Sequence, residues 1–282
     1  MTDTLGAIIT AIVTPFDQAG DVDEEGFVEL LAHLAANGSD GFVICGTTGE
    51  AATLSVEEHL RLIELAVAER PAGTTIIAGA GSNDTRHAVE MSEKATELGA
   101  DALLSVTPYY NRPNERGIKA HYERIIEATN LPIVLYNIPS RTGTNLSNEF
   151  VAELAQLERI DYLKQANPAD VKQIDGLGLY AGNDDMLAEV LDLGGLGGIL
   201  VASHLVGPQM RQMVEEPARR AELHEQLTEI FDAMGVTTNP IPVKAGLTLM
   251  GLPAGPLRLP LVEASSEERA AVAAALSRLG LA

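Results

Sequence analysis

The sequence predicts an α/β protein, a (β/α)8 TIM barrel with a small C-terminal helical appendix, on three observations. Eight short apolar runs alternate with segments of helical periodicity. The runs are rich in Ile, Val and Leu without strict alternation, as parallel strands buried on both faces are. The tail beyond residue 208 holds more helical pattern than the one helix a barrel still needs. Eight alternating units favour a closed barrel over a doubly wound sheet, which usually has fewer strands.

The first run, "AIITAIVTPF" (7–16), leads to Phe27, Leu30, Leu31 and Leu34 at i, i+3, i+4 and i+7. Asp23 is placed to cap that helix and Gly38 to end it. "DGFVICGTTGE" (40–50) precedes a helix opened by a capping box, Ser55 with Glu58, with Val56, Leu60, Ile63 and Val67 as its apolar stripe. "TTIIAGAGS" (74–82) precedes a helix closed by Gly99, which suits a left-handed cap. The runs "DALLSVTPYY" (101–110), "PIVLYNIPS" (132–140), "IDYLKQA" (160–166), "GLYAGND" (178–184) and "GGILVAS" (197–203) complete the eight. Residues 218–235, 240–250 and 265–280 read as helices. Residues 1–208 are thus expected to form the barrel core. Residues 209–282 would hold the final barrel helix and an extension packed on it, in a single structural unit.

Composition narrows the function. The chain has 282 residues, 46% hydrophobic and 21% charged, which suffices for a large core. No run of about 18 apolar residues is present, so no membrane-spanning helix is expected. "MTDTLGAIITAIVTPF" lacks a basic leader and a small-residue cleavage site, and reads as the first strand. A net charge of −21 repels phosphate backbones and anionic membranes, which argues against nucleic-acid and membrane partners. The single cysteine, Cys45, cannot form an intramolecular disulfide, which fits a reducing cytoplasm. Within "GFVICG" it reads as core packing rather than as a nucleophile. The histidines, at 33, 59, 87, 121, 204 and 224, show no metal-ligand spacing, so a metal-dependent aldolase is disfavoured and no cofactor is expected. "GAGSND" does not complete a dinucleotide fingerprint, and "LGGLGG" (193–198) precedes the eighth run, at the rim away from chemistry, where tight turning explains it.

A barrel does its chemistry at the C-terminal ends of its strands. There the runs place Thr47 and Thr48, Tyr109 and Tyr110, Tyr136, Ser140 and Arg141, Lys164, then Asn183, Asp184 and Ile199. Taken singly, each has an ordinary explanation: packing for a tyrosine, a turn for the threonines, a surface charge for the lysine or arginine. Together they form a coherent set. A lysine amine near pKa 10.4 is protonated at neutral pH, but burial in an apolar barrel disfavours the cation. The free amine attacks a ketone to form an imine, which acidifies the neighbouring C–H. Tyr136 can move the protons, with Thr47 and a second tyrosine as relay. Arg141 offers a fork that matches a carboxylate.

The motifs "GTTGE" (46–50), "VTPYYNRP" (106–113), "YNIPSRTG" (136–143), the strand-end lysine of "YLKQA", "TNPIPVKAGL" (238–247) and "LRLPL" (257–261) resemble one family along nearly the whole chain. It is the dihydrodipicolinate synthase, or 4-hydroxy-tetrahydrodipicolinate synthase, family of the pyruvate-dependent class I aldolases. The resemblance implies that Lys164 forms the imine with pyruvate and that Tyr136 donates and accepts its protons. Thr47 would link Tyr136 to Tyr110, which reaches in from a neighbouring subunit of a homotetramer, a dimer of tight dimers. Thr48 would hold the pyruvate carboxylate, Ile199 would contact pyruvate by its backbone, and Arg141 would bind the carboxylate of L-aspartate 4-semialdehyde. Arg141 within "SRTG" favours this lysine-biosynthesis activity over an N-acetylneuraminate lyase-like or keto-sugar-acid aldolase. Two departures from the family pattern, Gln165 in place of an acid and Leu200 in place of a small polar residue, bear on the fine shape of the pocket and not on the imine chemistry; the sequence does not fix their effect. In lysine-inhibited members the inhibitor sits near the positions of Ala51, Val56, His59, Asn83, His87 and Tyr109. His87 supplies no carboxylate for the ammonium of lysine, so feedback inhibition is expected to be weak or absent.

Overall fold

The structure, a computed structural model, describes residues 5–281. Residues 1–4 and 282, at the outer ends of the two expected segments, lie outside the described residues. Eight strands form a closed parallel barrel in sequence order: β1 (Ile8–Ala11), β2 (Gly41–Ile44), β3 (Thr75–Gly79), β4 (Ala102–Val106), β5 (Ile133–Asn137), β6 (Ile160–Gln165), β7 (Gly178–Ala181) and β8 (Gly197–Leu200). Each lies within one of the eight apolar runs. The helices between them include α1 (Glu24–Ala36), α2 (Val56–Ala68), α3 (Thr85–Leu98), α4 (Glu115–Glu127), α5 (Pro139–Thr142), α6 (Asn148–Leu154), α7 (Leu187–Asp192) and α8 (Ser203–Glu215). Helices α9 (Arg220–Met234), α10 (Ile241–Leu249) and α11 (Ser266–Arg278) follow the barrel. Among the described residues no helix is long and apolar enough to cross a membrane.

Strand alternation sorts the apolar residues into two cores. Ile9, Ala11, Val43, Ile77, Leu104, Val134, Tyr136, Tyr162, Tyr180 and Ile199 fill the barrel interior. Their neighbours in sequence, among them Ile8, Phe42, Ile44, Ile76, Leu103, Leu135, Leu163, Leu179 and Leu200, form the layer between strands and helices. Both faces being apolar is why the runs lack a period of two. The register sets Tyr136 beside Lys164, and Lys164 beside Tyr180, so one interior tier crosses β5, β6 and β7.

Local chemistry fixes the element ends. Asp23 accepts from Gly26 N at the start of α1, and Gly38, just past its end, takes φ +99°. Ser55 and Glu58 complete the capping box of α2, and Gly99 closes α3 in the left-handed conformation. The stripe expected on α2 is displaced. Its buried residues are Leu62, Ile63, Leu65 and Ala66, whereas Val56 is 46% exposed. The buried face is turned from the expected one, with Leu60 and Val67 packed at the edge of the core and only Val56 of the stripe exposed. "LGGLGG" closes the barrel: Gly198 N donates to Ala7 O at 2.9 Å. A Cβ on Gly197, whose φ is +148°, would lie 1.9 Å from that oxygen.

The helix that follows β8 starts at Ser203 and so runs across residue 208. Beyond it, α10 returns to the catalytic rim. Lys244 forms a buried ion pair with Glu50 at 2.7 Å, both side chains at most 2% exposed. Lys244 Nζ also donates to Pro256 O, and Arg258 N donates to the other oxygen of Glu50. The loop after β2 is thereby tied to the C-terminal helices.

Candidate active site

At the C-terminal mouth of the barrel lies a cavity of about 450 Å3. Lys164, Tyr136, Thr47, Thr48 and Arg141 all line it, although they come from three strands and their loops. Lys164 is 5% exposed. Its Nζ stands 4.2 Å from the centroid of the Tyr136 ring. Burial lowers its pKa to about 7, with Asp184 opposing and Arg141 assisting. Far more of the amine is therefore free near neutrality than the well under 1% of an exposed lysine. Burial also pushes the Tyr136 phenol up to about 12, with the Arg141 charge opposing it. The phenol therefore holds its proton until a stronger base needs it.

Thr48 is buried, and its Oγ1 accepts from Asn239 Nδ2 at 2.9 Å. Thr47 is exposed to the cavity, and no hydrogen bond joins it to Tyr136 among the described residues. Arg141 lies at the mouth, where Nη2 donates to Asn239 O at 3.3 Å.

Two expected residues stand apart. Tyr110 is 89% exposed, with φ +70°, and does not line the cavity. Ile199 is wholly buried in the interior core beside Ile9 and is not among the lining residues. Neither Gln165 nor Leu200 is among the residues that line the cavity. Each follows an inward residue on its strand and so points outward. Gln165 Oε1 accepts from Asn137 Nδ2 and Asn167 N, and Leu200 packs in the outer layer.

Two functional candidates carry no role in the sequence reading. Asp184 was visible at a strand end, but its partners were not. Its Oδ1 accepts from Val201 N and Ala202 N, both at 2.9 Å, which fixes the end of β8. Burial nonetheless raises its pKa to about 6, and it lines the cavity with Lys164. Asn239 lies 191 residues beyond Thr48, so no local pattern could join them.

A second cavity, of about 430 Å3, adjoins the first and is lined by Ala51, His59, His87 and Tyr109. Val56 and Asn83 are not in its lining. His59 Nε2 pairs with Gly79 O, and burial lowers its pKa to about 4. Cys45 is buried, its Sγ directed at His59 O, and burial pushes the thiol up, as a packing role requires. Among the described residues no three His, Cys, Asp or Glu side chains gather as metal ligands would.

A buried lysine of lowered pKa at the end of the sixth strand of a barrel, its amine over a tyrosine ring, defines a Schiff-base-forming lyase of the class I aldolase type. Within that class the chain belongs to the dihydrodipicolinate synthetase family, whose model matches residues 4–279. It is 42% identical to the 4-hydroxy-tetrahydrodipicolinate synthase of Moorella thermoacetica, over 98% of this chain and 99% of that one. The chloride-inhibited dihydrodipicolinate synthase of Acinetobacter baumannii, solved with pyruvate, superposes with a TM-score of 0.95 at 36% identity, covering 99% of this chain and 100% of that one. The DHDPS of Cyanidioschyzon merolae, solved with lysine bound, gives 0.93 at 40% identity, covering 99% of each chain.

Proposed function

We propose that this chain condenses pyruvate, held as an imine on Lys164, with L-aspartate 4-semialdehyde. This is the reaction of 4-hydroxy-tetrahydrodipicolinate synthases in lysine and diaminopimelate biosynthesis. One observation carries the reading: the Lys164 amine is buried over Tyr136, in a cavity shared with Thr47, Thr48 and Arg141.

The free amine attacks C2 of pyruvate to give a carbinolamine. Tyr136 gives its proton to the departing hydroxyl, which leaves as water, and the resulting phenolate takes a proton from C3. The enamine carbon then attacks the aldehyde carbon of the second substrate, whose oxygen takes the proton back from Tyr136. Lastly the amine of that substrate attacks C2, closing a ring and releasing Lys164. Thr47 carries protons between Tyr136 and a partner subunit's copy of the Tyr110 position, and Thr48 holds the pyruvate carboxylate; Ile199, whose side chain packs in the interior core outside the cavity lining, has only its backbone to offer pyruvate. Arg141 binds the carboxylate of the semialdehyde; its hydrogen bond to Asn239 O occupies one Nη2 donor of the five that a guanidinium carries. The working state is a homotetramer, a dimer of tight dimers; the exposure of Tyr110 supports a site completed by a neighbour.

Borohydride added with pyruvate should leave one reduced adduct on Lys164, read by mass; an unmodified lysine would contradict the imine. In a coupled assay the semialdehyde should be consumed. Arg141→Ala should depress that turnover by about 100-fold, as loss of a bidentate charge-assisted contact does, with pyruvate trapping largely intact. Inhibition by L-lysine should be weak or absent, because His87 brings no carboxylate to the second cavity. A sub-millimolar inhibition constant would refute that.

A further inference from the structure

We propose that Asn239 is a positioning residue. By donating to Thr48 Oγ1 at 2.9 Å, its side-chain amide reserves the single hydroxyl proton of Thr48 for the pyruvate carboxylate. This rests on the reading of Thr48 as the carboxylate grip.

A threonine hydroxyl has one proton and two acceptor lone pairs. A buried hydroxyl spends that proton on any acceptor within reach, and a proton so spent is lost to a ligand. Thr48 is 3% exposed, and no acceptor takes its proton among the described residues. What meets Oγ1 is a donor, the amide of Asn239, which occupies a lone pair and leaves the O–H to point elsewhere. Both residues line the cavity that holds Lys164.

The orientation of the amide decides where the Thr48 proton goes. Asn239 Oδ1 is buried without a partner. In the observed orientation Nδ2 donates to Thr48 Oγ1; turned round, the side chain would present its oxygen to that hydroxyl instead. The reversed oxygen would draw the proton of Thr48 to itself. The backbone carbonyl of the same residue accepts from Arg141, so one segment ahead of α10 touches both side chains assigned to carboxylates.

The test measures the pyruvate concentration for half-maximal borohydride trapping in Asn239→Ala, Asn239→Asp, Thr48→Val and the double variants Thr48→Val/Asn239→Ala and Thr48→Val/Asn239→Asp. An ionised aspartate is the same size but only accepts, so it takes the Thr48 proton. Asn239→Asp should therefore raise the half-saturating concentration by about tenfold or more, and Asn239→Ala by less. The rate at saturating pyruvate should stay within about twofold, as for a group that acts in binding alone. With valine at position 48, Asn239→Ala should add nothing, and Asn239→Asp should keep only the part due to its charge. Unchanged half-saturation in both single Asn239 variants, even with a lowered Tm, would overturn the proposal. So would Asn239 effects that persist in full beside valine. An unaltered Thr48→Val would overturn the reading of Thr48 itself, and this inference with it.

Discussion

Two opposite charges share the mouth of the barrel, and each is moved towards neutrality by burial. Lys164 falls to about 7 and Asp184 rises to about 6. The carboxylate favours the ammonium, so it holds the lysine pKa above where burial alone would leave it. Asparagine at 184 can still accept from Val201 N and Ala202 N through its carbonyl oxygen, which preserves the end of β8 while removing the charge. The rate of pyruvate trapping should rise with pH up to about 7, as the nucleophilic amine is released, and then level off. In Asp184→Asn the midpoint should move to lower pH, because the cation has lost its counter-charge. A midpoint that stays put, or moves up, would contradict the coupling. Lys164 was legible as a candidate because a basic residue ending an apolar run is conspicuous. The role of Asp184 was not, since its meaning lies in two backbone amides just past the end of the next strand and in burial that only closure of the barrel creates.

At the scale of elements, periodicity located the strands well and the helix faces less well. Strands buried on both sides announce themselves by length and composition. The inner face of α2 does not, because Val56 is as apolar as Ile63 and only the packing distinguishes them. The same alternation explains why Gln165 and Leu200 are absent from the cavity lining: adjacency in sequence to Lys164 and Ile199 puts them on the opposite face. The link between the β2 loop and α10 was also out of sequence reach, although both motifs stood out. Glu50 sits in the left-handed region at φ +55° with its carboxylate divided between Lys244 and Arg258 N. Removing one member of a buried pair strands the other charge. Lys244→Met should therefore destabilise the protein by about 3–5 kcal/mol in urea unfolding, with much of the loss recovered in Glu50→Gln/Lys244→Met, where no charge is left unpaired. A double variant no more stable than Lys244→Met would show that the pair does more than cancel its own desolvation.

For the whole molecule, the decisive question is where the hydroxyl of Tyr110 acts. Within its own chain the residue projects into solvent at 89% exposure, held in a left-handed backbone conformation that only Gly, Asn and Asp adopt easily. The adjacent Tyr109 is 39% exposed, and Leu259 is 78% exposed. Large exposed side chains at the rim of a half-furnished site are what a symmetric, self-complementary interface would cover. If Tyr110 completes the site of its neighbour, two inactive variants can repair each other. Lys164→Ala lacks the nucleophile but lends an intact tyrosine; Tyr110→Phe keeps the nucleophile but lends none. Mixed in equal amounts and allowed to exchange, half the dimers are hybrids, each with one complete site. Activity should then return to about a quarter of that of the parent enzyme. Were the tyrosine to act within its own chain, no hybrid would contain a complete site and the mixture would stay as inactive as its components. Subunit exchange, followed by native mass spectrometry of the two variants, shows that hybrids have formed, so an inactive mixture rich in hybrids would refute donation across the interface.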